Sequence, residues 1–253
     1  MLFAIDIGNT NIDLGLFDQN QLIVKKAIPR YELNKTFHEK SINSFLKNNT
    51  KRKTIHGALI SSVVRDLGTK FVSYCDSKNI VAQQVDTHWD LGLAINYDPP
   101  EDVGIDRLLS ATAAFDMAPS KHSVIIADAG TAITVDIVDS SGTFLGGSIT
   151  PGLNLMNQAL KSGTSLLTSV DLKETPLLPA QSTPEGIRSG VLYGAVSTIE
   201  GIGLRLAATV STPSWFVITG GDGPMLFPHV KRYRKYVPNL VLYGLAKVWE
   251  RQH

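Results

Sequence analysis

The sequence predicts an α/β protein built from two copies of one domain. Three observations carry this expectation. A short apolar strand at the N-terminus runs through an Asp-x-Gly turn into a second, alternating strand. The same arrangement returns from Ser123. Strand and helix patterns alternate through the rest of the chain.

In the first copy, Leu2, Phe3, Ala4 and Ile5 read as a buried strand and Asp6-Ile7-Gly8-Asn9-Thr10-Asn11 as the turn. Ile12, Leu14 and Leu16 then alternate with Asp13, Gly15 and Phe17 up to a turn at Asp18-Gln19-Asn20. In the second copy the strand is Ser123 to Ala127, and the turn is Asp128-Ala129-Gly130-Thr131-Ala132. Ile133, Val135 and Ile137 alternate up to a turn at Asp139-Ser140-Ser141-Gly142. Asp6 and Gly8 match Asp128 and Gly130 at an offset of 122 residues; Ile12, Leu14 and Asp18 match Ile133, Val135 and Asp139 at 121. A repeat near half the chain length implies duplication.

Between the hairpins, periodicity predicts a helix over 33–46, a strand over 57–60 leading into a Ser61-Ser62 turn, a helix over 68–77 and a strand over 80–85. A Pro-rich loop over 96–104 precedes a helix over 106–117. The second half reads as a Gly-rich loop over 146–152, a helix over 153–160 and a surface loop over 162–184. A long helix over 186–210 follows, then a strand over 215–219 feeding Gly220-Gly221-Asp222-Gly223, and a closing helix over 240–252. The domain boundary falls near 118, giving domains 1–118 and 119–253.

Composition narrows the function classes. The 253 residues are 43% apolar and 19% charged, which excludes wholesale disorder. Net charge is +1, so a dedicated nucleic-acid partner is not expected. The one dense basic run, Lys231 to Lys235, reads as a solvated face rather than a nucleic-acid patch. A lone cysteine, Cys75, excludes an internal disulfide framework and a Cys-rich metal site. No apolar run approaches the ~20 residues of a membrane span, and the N-terminal run ends at Asp6 with no basic leader. The expectation is a cytoplasmic protein with no membrane partner.

The turns carry the chemistry. Gly8 lets the backbone approach a ligand closely, and turn amides with Asn9 and Thr10 offer hydrogen bonds to phosphate oxygens. Asp6 at a strand end suits a hydrated Mg²⁺, which keeps several waters and takes one or two carboxylates. The Asp128 turn repeats these parts, and two such hairpins facing each other would clamp a nucleoside triphosphate. Walker-type and dinucleotide Gly motifs are absent, and the six histidines show no metal-ligand spacing. Asp106, in Gly104-Ile105-Asp106-Arg107, has two readings: a carboxylate favoured by a helix N-terminus, or a general base for a substrate hydroxyl. Arg107 either binds an anionic group or pairs with a neighbouring acid.

Taken together, these motifs resemble the type III pantothenate kinases, of the acetate and sugar kinase, heat-shock ATPase and actin superfamily. The resemblance rests on Asp6 to Asn11 with Gly15, Gly104 to Arg107, Asp128 to Ala132 with Thr134, and Gly146-Gly147 with Thr150-Pro151-Gly152. It continues through Thr183 with Ser189-Gly190 and Thr219 to Asp222, in family order over nearly the whole chain. It implies two RNase-H-like (actin-like ATPase) domains, each a mixed sheet flanked by helices, with an ATP cleft between them. It implies transfer of the ATP γ-phosphoryl group to pantothenate, the first step towards coenzyme A. Asp106 would be the proton acceptor. Asp6, Ile7, Gly8, Asn9, Thr10, Asn11, Ile12 and Asp13, with Thr131, would bind ATP, Asp6 reaching Mg²⁺ through water. Asp128 would help bind a monovalent cation, K⁺ or NH₄⁺. Tyr97, Gly104, Ile105, Asp106, Arg107 and Thr183 would bind pantothenate. A homodimer is implied, with the helix over 186–210 at its interface. The chain departs from the family's common pattern at Ile105, where Ala is usual, at Leu167-Thr168, where Leu-Pro is usual, and at Ser182, where Asn is usual.

Two other classes stand against this reading. A non-catalytic, nucleotide-binding regulatory relative would have lost the base or the cation ligand, yet Asp106 and Asp128 are present. A hydrolase or chaperone of the same superfamily would need no pantothenate pocket, and a chaperone carries large extra domains.

Overall fold

The computed structural model describes residues 1–30, 39–50, 54–174 and 176–252. The chain forms two compact units: Met1–Ala113 with Leu240–His253, and Ala114–Asn239.

The first unit is a five-stranded mixed sheet, in the order β3-β2-β1-β4-β5. Its strands are β1 (Leu2–Ile7), β2 (Asn11–Asp18), β3 (Gln21–Pro29), β4 (Gly57–Ser62) and β5 (Ala82–Gln84). β1 pairs antiparallel with β2 and parallel with β4. Buried on both faces, as a central strand must be, β1 reads as an unbroken apolar run up to Asp6. Gln19 and Asn20 turn β2 into β3 with positive φ values of 46° and 64°, a conformation Asn tolerates well. β3 was not foreseen: it is an edge strand, exposed on alternate residues and carrying Lys25 and Lys26, so its apolar signal is weak. Helices α1 (Glu39–Asn49) and α2 (Leu67–Asp76) pack Ile42, Phe45, Phe71 and Tyr74 into the core with Phe3, Ile5 and Ile60. Of the helix expected over 33–46, residues 33–38 lie outside the described residues. Ser61 and Ser62 continue β4 rather than turning. After the two-residue β6 (Ala94–Ile95), α3 (Ile105–Met117) begins one residue before the expected start.

The second unit repeats the plan. Its strands are β7 (Ser123–Ala129), β8 (Ala132–Val138), β9 (Thr143–Pro151), β10 (Ser214–Thr219) and β11 (Lys235–Tyr236), in the order β11-β10-β7-β8-β9. β7 pairs antiparallel with β8 and parallel with β10, as β1 does with β2 and β4. The registers agree with the repeat: Asp6 faces Asp13 and lies beside Ser61, and Asp128 faces Thr134 and lies beside Thr219. Residues 146–152, expected as a loop, belong to β9 up to Pro151. Their glycines are a packing requirement, since a Cβ on Gly147 would lie 2.1 Å from the Val135 carbonyl oxygen of the neighbouring strand. Helices α4 (Leu153–Gly163) and α5 (Thr183–Ala207) cover this sheet, Ile187, Val191, Ala195 and Ile199 meeting Ile125, Val135 and Ile218. A short α6 (Gly223–Leu226) follows β10. Tyr233, inside the basic run, is buried and donates to the Ile199 carbonyl at 3.3 Å.

The closing helix α7 (Leu240–Gln252) has the bounds expected but groups with the first unit, whereas the sequence division placed it in 119–253. Its ring Tyr243 meets Phe17 edge-on at 5.5 Å, and Gly244 comes so close to α3 that a Cβ there would lie 2.2 Å from the Leu109 carbonyl oxygen. Among the described residues no helix is long and apolar enough to cross a membrane.

The turn after β10 gives a direct test of this packing. Gly220 has φ of +91°, and a Cβ on it would lie 2.2 Å from the Ala129 carbonyl oxygen. Gly220→Ala is expected to lower stability by more than about 1 kcal/mol, read as a fall in the urea midpoint at unchanged slope.

Candidate functional site

The first unit ends its central strand in a charge. Asp6 is half-buried, and its Oδ1 accepts a hydrogen bond from the fully buried Ser61 hydroxyl at 2.9 Å. Asp13 lies directly opposite on β2, so two like charges share one face, an arrangement that repels. Lys25 of β3 offsets it with an ion pair to Asp13 at 2.9 Å. The turn is closed by the Gly8 amide donating to the Asn11 carbonyl at 3.0 Å. Arg30 holds it from outside: its amide donates to the Thr10 carbonyl at 2.8 Å and its Nε to the Asn9 carbonyl at 2.5 Å. Ile7 and Ile12 are buried in the core, so they offer a ligand only backbone, while Asn9, Thr10 and Asn11 are exposed. This is a rigid turn with polar side chains at its tip.

In the same unit, α3 starts at the Gly104-Ile105-Asp106-Arg107 motif. The Arg107 amide donates to the Gly104 carbonyl at 3.0 Å and to Asp106 Oδ1 at 2.8 Å. A Cβ on Gly104 would lie 2.5 Å from that Oδ1, so the glycine makes room for the carboxylate. Arg107 is buried, at 8% exposure. Burial pushes the Asp106 carboxyl above its ordinary 3.8, against the lowering effect of the Arg107 amide and guanidinium. A raised carboxyl is a better base than an ordinary one. Ile105, Leu108 and Leu109 anchor the helix start in the core. Tyr97 is half-buried, between β6 and a short 3₁₀ turn at Pro100–Asp102.

The second unit builds its turn the same way. The Gly130 amide donates to the Ala132 carbonyl at 3.0 Å, the counterpart of Gly8 and Asn11. Thr131 is exposed at the tip, and the Gly152 amide donates to its carbonyl at 3.1 Å. The Asp222 amide donates to the Ala129 carbonyl at 2.9 Å, as the Val63 amide does to Ile7 at 3.1 Å in the first unit. Asp128 acts on Tyr236: burial first, then the Asp128 charge, raises the phenol above its ordinary 10.0. Burial alone raises the Asp222 carboxyl. Thr183 is exposed at the first position of α5, behind the Ser182 cap, whose hydroxyl accepts from the Glu185 amide at 3.4 Å.

Sequence reasoning missed Ser61, Lys25, Arg30 and Tyr236. Ser61 was within reach: β4 ends Ile60-Ser61 where β10 ends Ile218-Thr219, so the repeat extends to the neighbouring strand. Lys25 lies on β3 and Arg30 directly after it, a stretch that was not read at all. Among the described residues no group of three or more His, Cys, Asp or Glu side chains could hold a metal. A single carboxylate such as Asp6 fits a Mg²⁺ that keeps its waters.

Two units that share one five-strand order, each with an Asp-x-Gly hairpin turn, have the actin-like ATPase fold of the sugar kinases. A ROK hexokinase from Thermus thermophilus matches at a TM-score of 0.52 and 13% identity, over 100% of this chain and 99% of that one. The activator of the 2-hydroxyisocaproyl-CoA dehydratase from Clostridium difficile, solved with bound ADPNP, matches at 0.55 and 14%, over 99% and 96%. These likenesses show the fold. The sequence is more specific. The family description "Type III pantothenate kinase" matches residues 2–205. The type III pantothenate kinase of Solibacter usitatus (strain Ellin6076) is 32% identical over 259 residues, 100% of this chain and 97% of that protein. That of Anaeromyxobacter dehalogenans (strain 2CP-C) is 31% identical over 258 residues, 99% of each. The chain belongs to the type III pantothenate kinase family.

The raised Asp106 carboxyl has a consequence for stability. The folded state holds its proton to higher pH than the unfolded state, so stability is lost as pH rises from 3.8 through the folded value. Asp106→Asn removes that loss. It is expected to raise the thermal midpoint at about pH 7, and the gain should shrink towards zero as pH falls to about 4. Thermal unfolding of both proteins across that range checks it.

Proposed function

We propose that this chain transfers the γ-phosphoryl group of ATP to pantothenate, giving 4′-phosphopantothenate, the first step towards coenzyme A. The observation that carries the reading is Asp106: a carboxyl raised by burial, in room made by Gly104, beside a buried Arg107, in a chain of this family. The primary hydroxyl of pantothenate attacks the γ-phosphorus. The new O–P bond forms as the bond to the β–γ bridging oxygen breaks, and the hydroxyl proton passes to the Asp106 carboxylate. ADP and the phosphate ester leave. Positioning and charge stabilisation carry most of such a step, so a carboxylate suffices as base.

The remaining roles follow the chemistry of each group. The turn from Asp6 to Asp13, with Thr131, binds ATP through backbone amides and the Asn9, Thr10 and Thr131 side chains. Asp6, its Oδ1 oriented by Ser61, holds Mg²⁺ through water, and the metal supplies neutralisation of phosphate charge. Asp128 binds a monovalent cation, K⁺ or NH₄⁺. Tyr97, Gly104, Ile105, Arg107 and Thr183 bind pantothenate, Arg107 as the cation that meets its carboxylate. The reading includes two ATPase domains, 1–113 with 240–253 and 114–239, a cytoplasmic location and a homodimer. Open space beside Gly186, Gly190 and Gly194 of α5 supports a face that a second copy covers.

An assay of ADP release with ATP, Mg²⁺ and pantothenate, in K⁺ or Na⁺, tests this directly. Turnover is expected to need pantothenate and K⁺, and to fall by roughly 10²–10⁴ in Asp106→Asn. A folded protein that binds nucleotide but shows no pantothenate-dependent turnover would sink the reading.

A further inference from the structure

The segment leading into Thr183, described over 164–174 and 176–182, packs Leu167, Val170 and Leu172 against the core and is also tied by polar side chains. Asn157 of α4 makes a two-way clamp: its Nδ2 donates to the Val170 carbonyl at 2.8 Å, and its Oδ1 accepts from the Val170 amide at 3.0 Å. The second tie is Arg188, near the start of α5. Its side chain is buried, at 8% exposure, yet it carries a charge. Its Nε donates to the Asp171 carbonyl at 2.8 Å, one terminal nitrogen pairs with Glu174 at 3.1 Å, and the other is bonded to Glu185. Glu185 in turn accepts from the Leu177 amide at 3.1 Å. Around these ties the segment turns apolar groups to solvent: Leu166, Leu177 and Leu178 are 90%, 67% and 70% exposed. Those three side chains do not hold it; the packing of Leu167, Val170 and Leu172 on the core, the buried Pro176 and the Arg188 and Asn157 contacts do.

Ser182 and Glu185 have the spacing of a capping box, in which the third helical residue reaches back to the cap amide. Here the Ser182 hydroxyl accepts from the Glu185 amide, while the Glu185 carboxylate is drawn to Leu177 and Arg188 instead. One network thus joins the incoming segment, the cap and the first turn of α5, with Thr183 in its middle. The contributions differ. Glu174 is 70% exposed, and exposed pairs contribute little. Glu185 is 25% exposed, and removing one partner of a buried pair leaves an uncompensated charge.

We propose that Arg188 is a positioning residue for pantothenate. It fixes Asp171 and Glu174, and through Glu185 the Leu177 amide, against the start of α5 and so sets where Thr183 meets the substrate. The inference rests on the assignment of Thr183 to pantothenate above. Its fork geometry matters, because one side chain must reach a carbonyl and two carboxylates together.

The test uses the full chain. Arg188→Ala is expected to raise KM for pantothenate on the order of tenfold, as misplaced contacts do, with KM for ATP within about twofold of wild type. Arg188→Lys, which keeps the charge beside Glu185 without the fork, should recover part of the loss, and Arg188→Gln, which leaves Glu185 without its cation, less. A second readout needs no turnover: trypsin cleavage after the exposed Lys173. It should quicken on the order of tenfold in Arg188→Ala, and saturating pantothenate should slow it in wild type but not in the variant. An unchanged KM for pantothenate, a parallel rise in both KM values, or unchanged cleavage would overturn the proposal. Wild-type protein that neither turns over nor is protected by pantothenate would overturn the functional reading and this substrate role together. The cleavage comparison would then report on the anchoring alone.

Discussion

A central strand buried on both faces, yet required to end in a carboxylate, sets the terms for each unit. Leu2 to Ile5 and Val124 to Ala127 lie in the core, and within one or two residues the chain must solvate Asp6 or Asp128. Both units meet the constraint with the same devices. A neighbouring parallel strand presents a hydroxyl residue beside the Asp, Ser61 or Thr219. An amide from the segment after that strand, Val63 or Asp222, captures the carbonyl of Ile7 or Ala129, which would otherwise be left without a ladder partner. A glycine then closes the hairpin. Turn, strand end and neighbouring segment are locked together, and polar groups can be displayed without loosening the core.

The carboxylates of the first unit are sorted by environment. Asp6 and Asp13 share a face, but a hydroxyl and an ammonium meet them, so their charge is matched locally. Asp106 has its amide and guanidinium partner in Arg107, and burial still outweighs both. The raised carboxyl suits a group that accepts a proton. Gly104 belongs to the same arrangement: the smallest residue stands where any Cβ would meet the carboxylate oxygen.

Most of this was legible because the decisive patterns are local. The two hairpins, the helix starting at the Gly104 to Arg107 motif and the closing helix each carry their own periodicity and turn residues. What was not legible depends on partners distant in sequence. β3 is an edge strand with lysines on it. β9 looks like a loop because its glycines answer to the Val135 backbone, which the local sequence cannot reveal. Ser61 reads as a turn residue until β1 is placed beside it. The grouping of α7 with the first unit depends on Tyr243 and Gly244 meeting Phe17 and Leu109, more than 130 residues earlier. The Arg188 network left no sequence signal at all, since nothing in the string Gly186-Ile187-Arg188 says that the arginine is buried.

The duplicated plan makes its one asymmetry informative. Opposite Asp6 stands a second carboxylate, Asp13; opposite Asp128 stands Thr134, neutral. The first turn therefore carries two facing carboxylates, with Lys25 of the neighbouring strand in an ion pair with Asp13. In the corresponding ladder pair of the second turn Asp128 faces a neutral residue, and the Tyr236 phenol feels its charge. A divalent ion gains more from the first field and a monovalent ion suffices for the second. The proposed placing of Mg²⁺ at Asp6 and of a monovalent cation at Asp128 is in keeping with this difference. The two copies share the Asp-x-Gly turn and differ in the residue that faces the aspartate across the ladder.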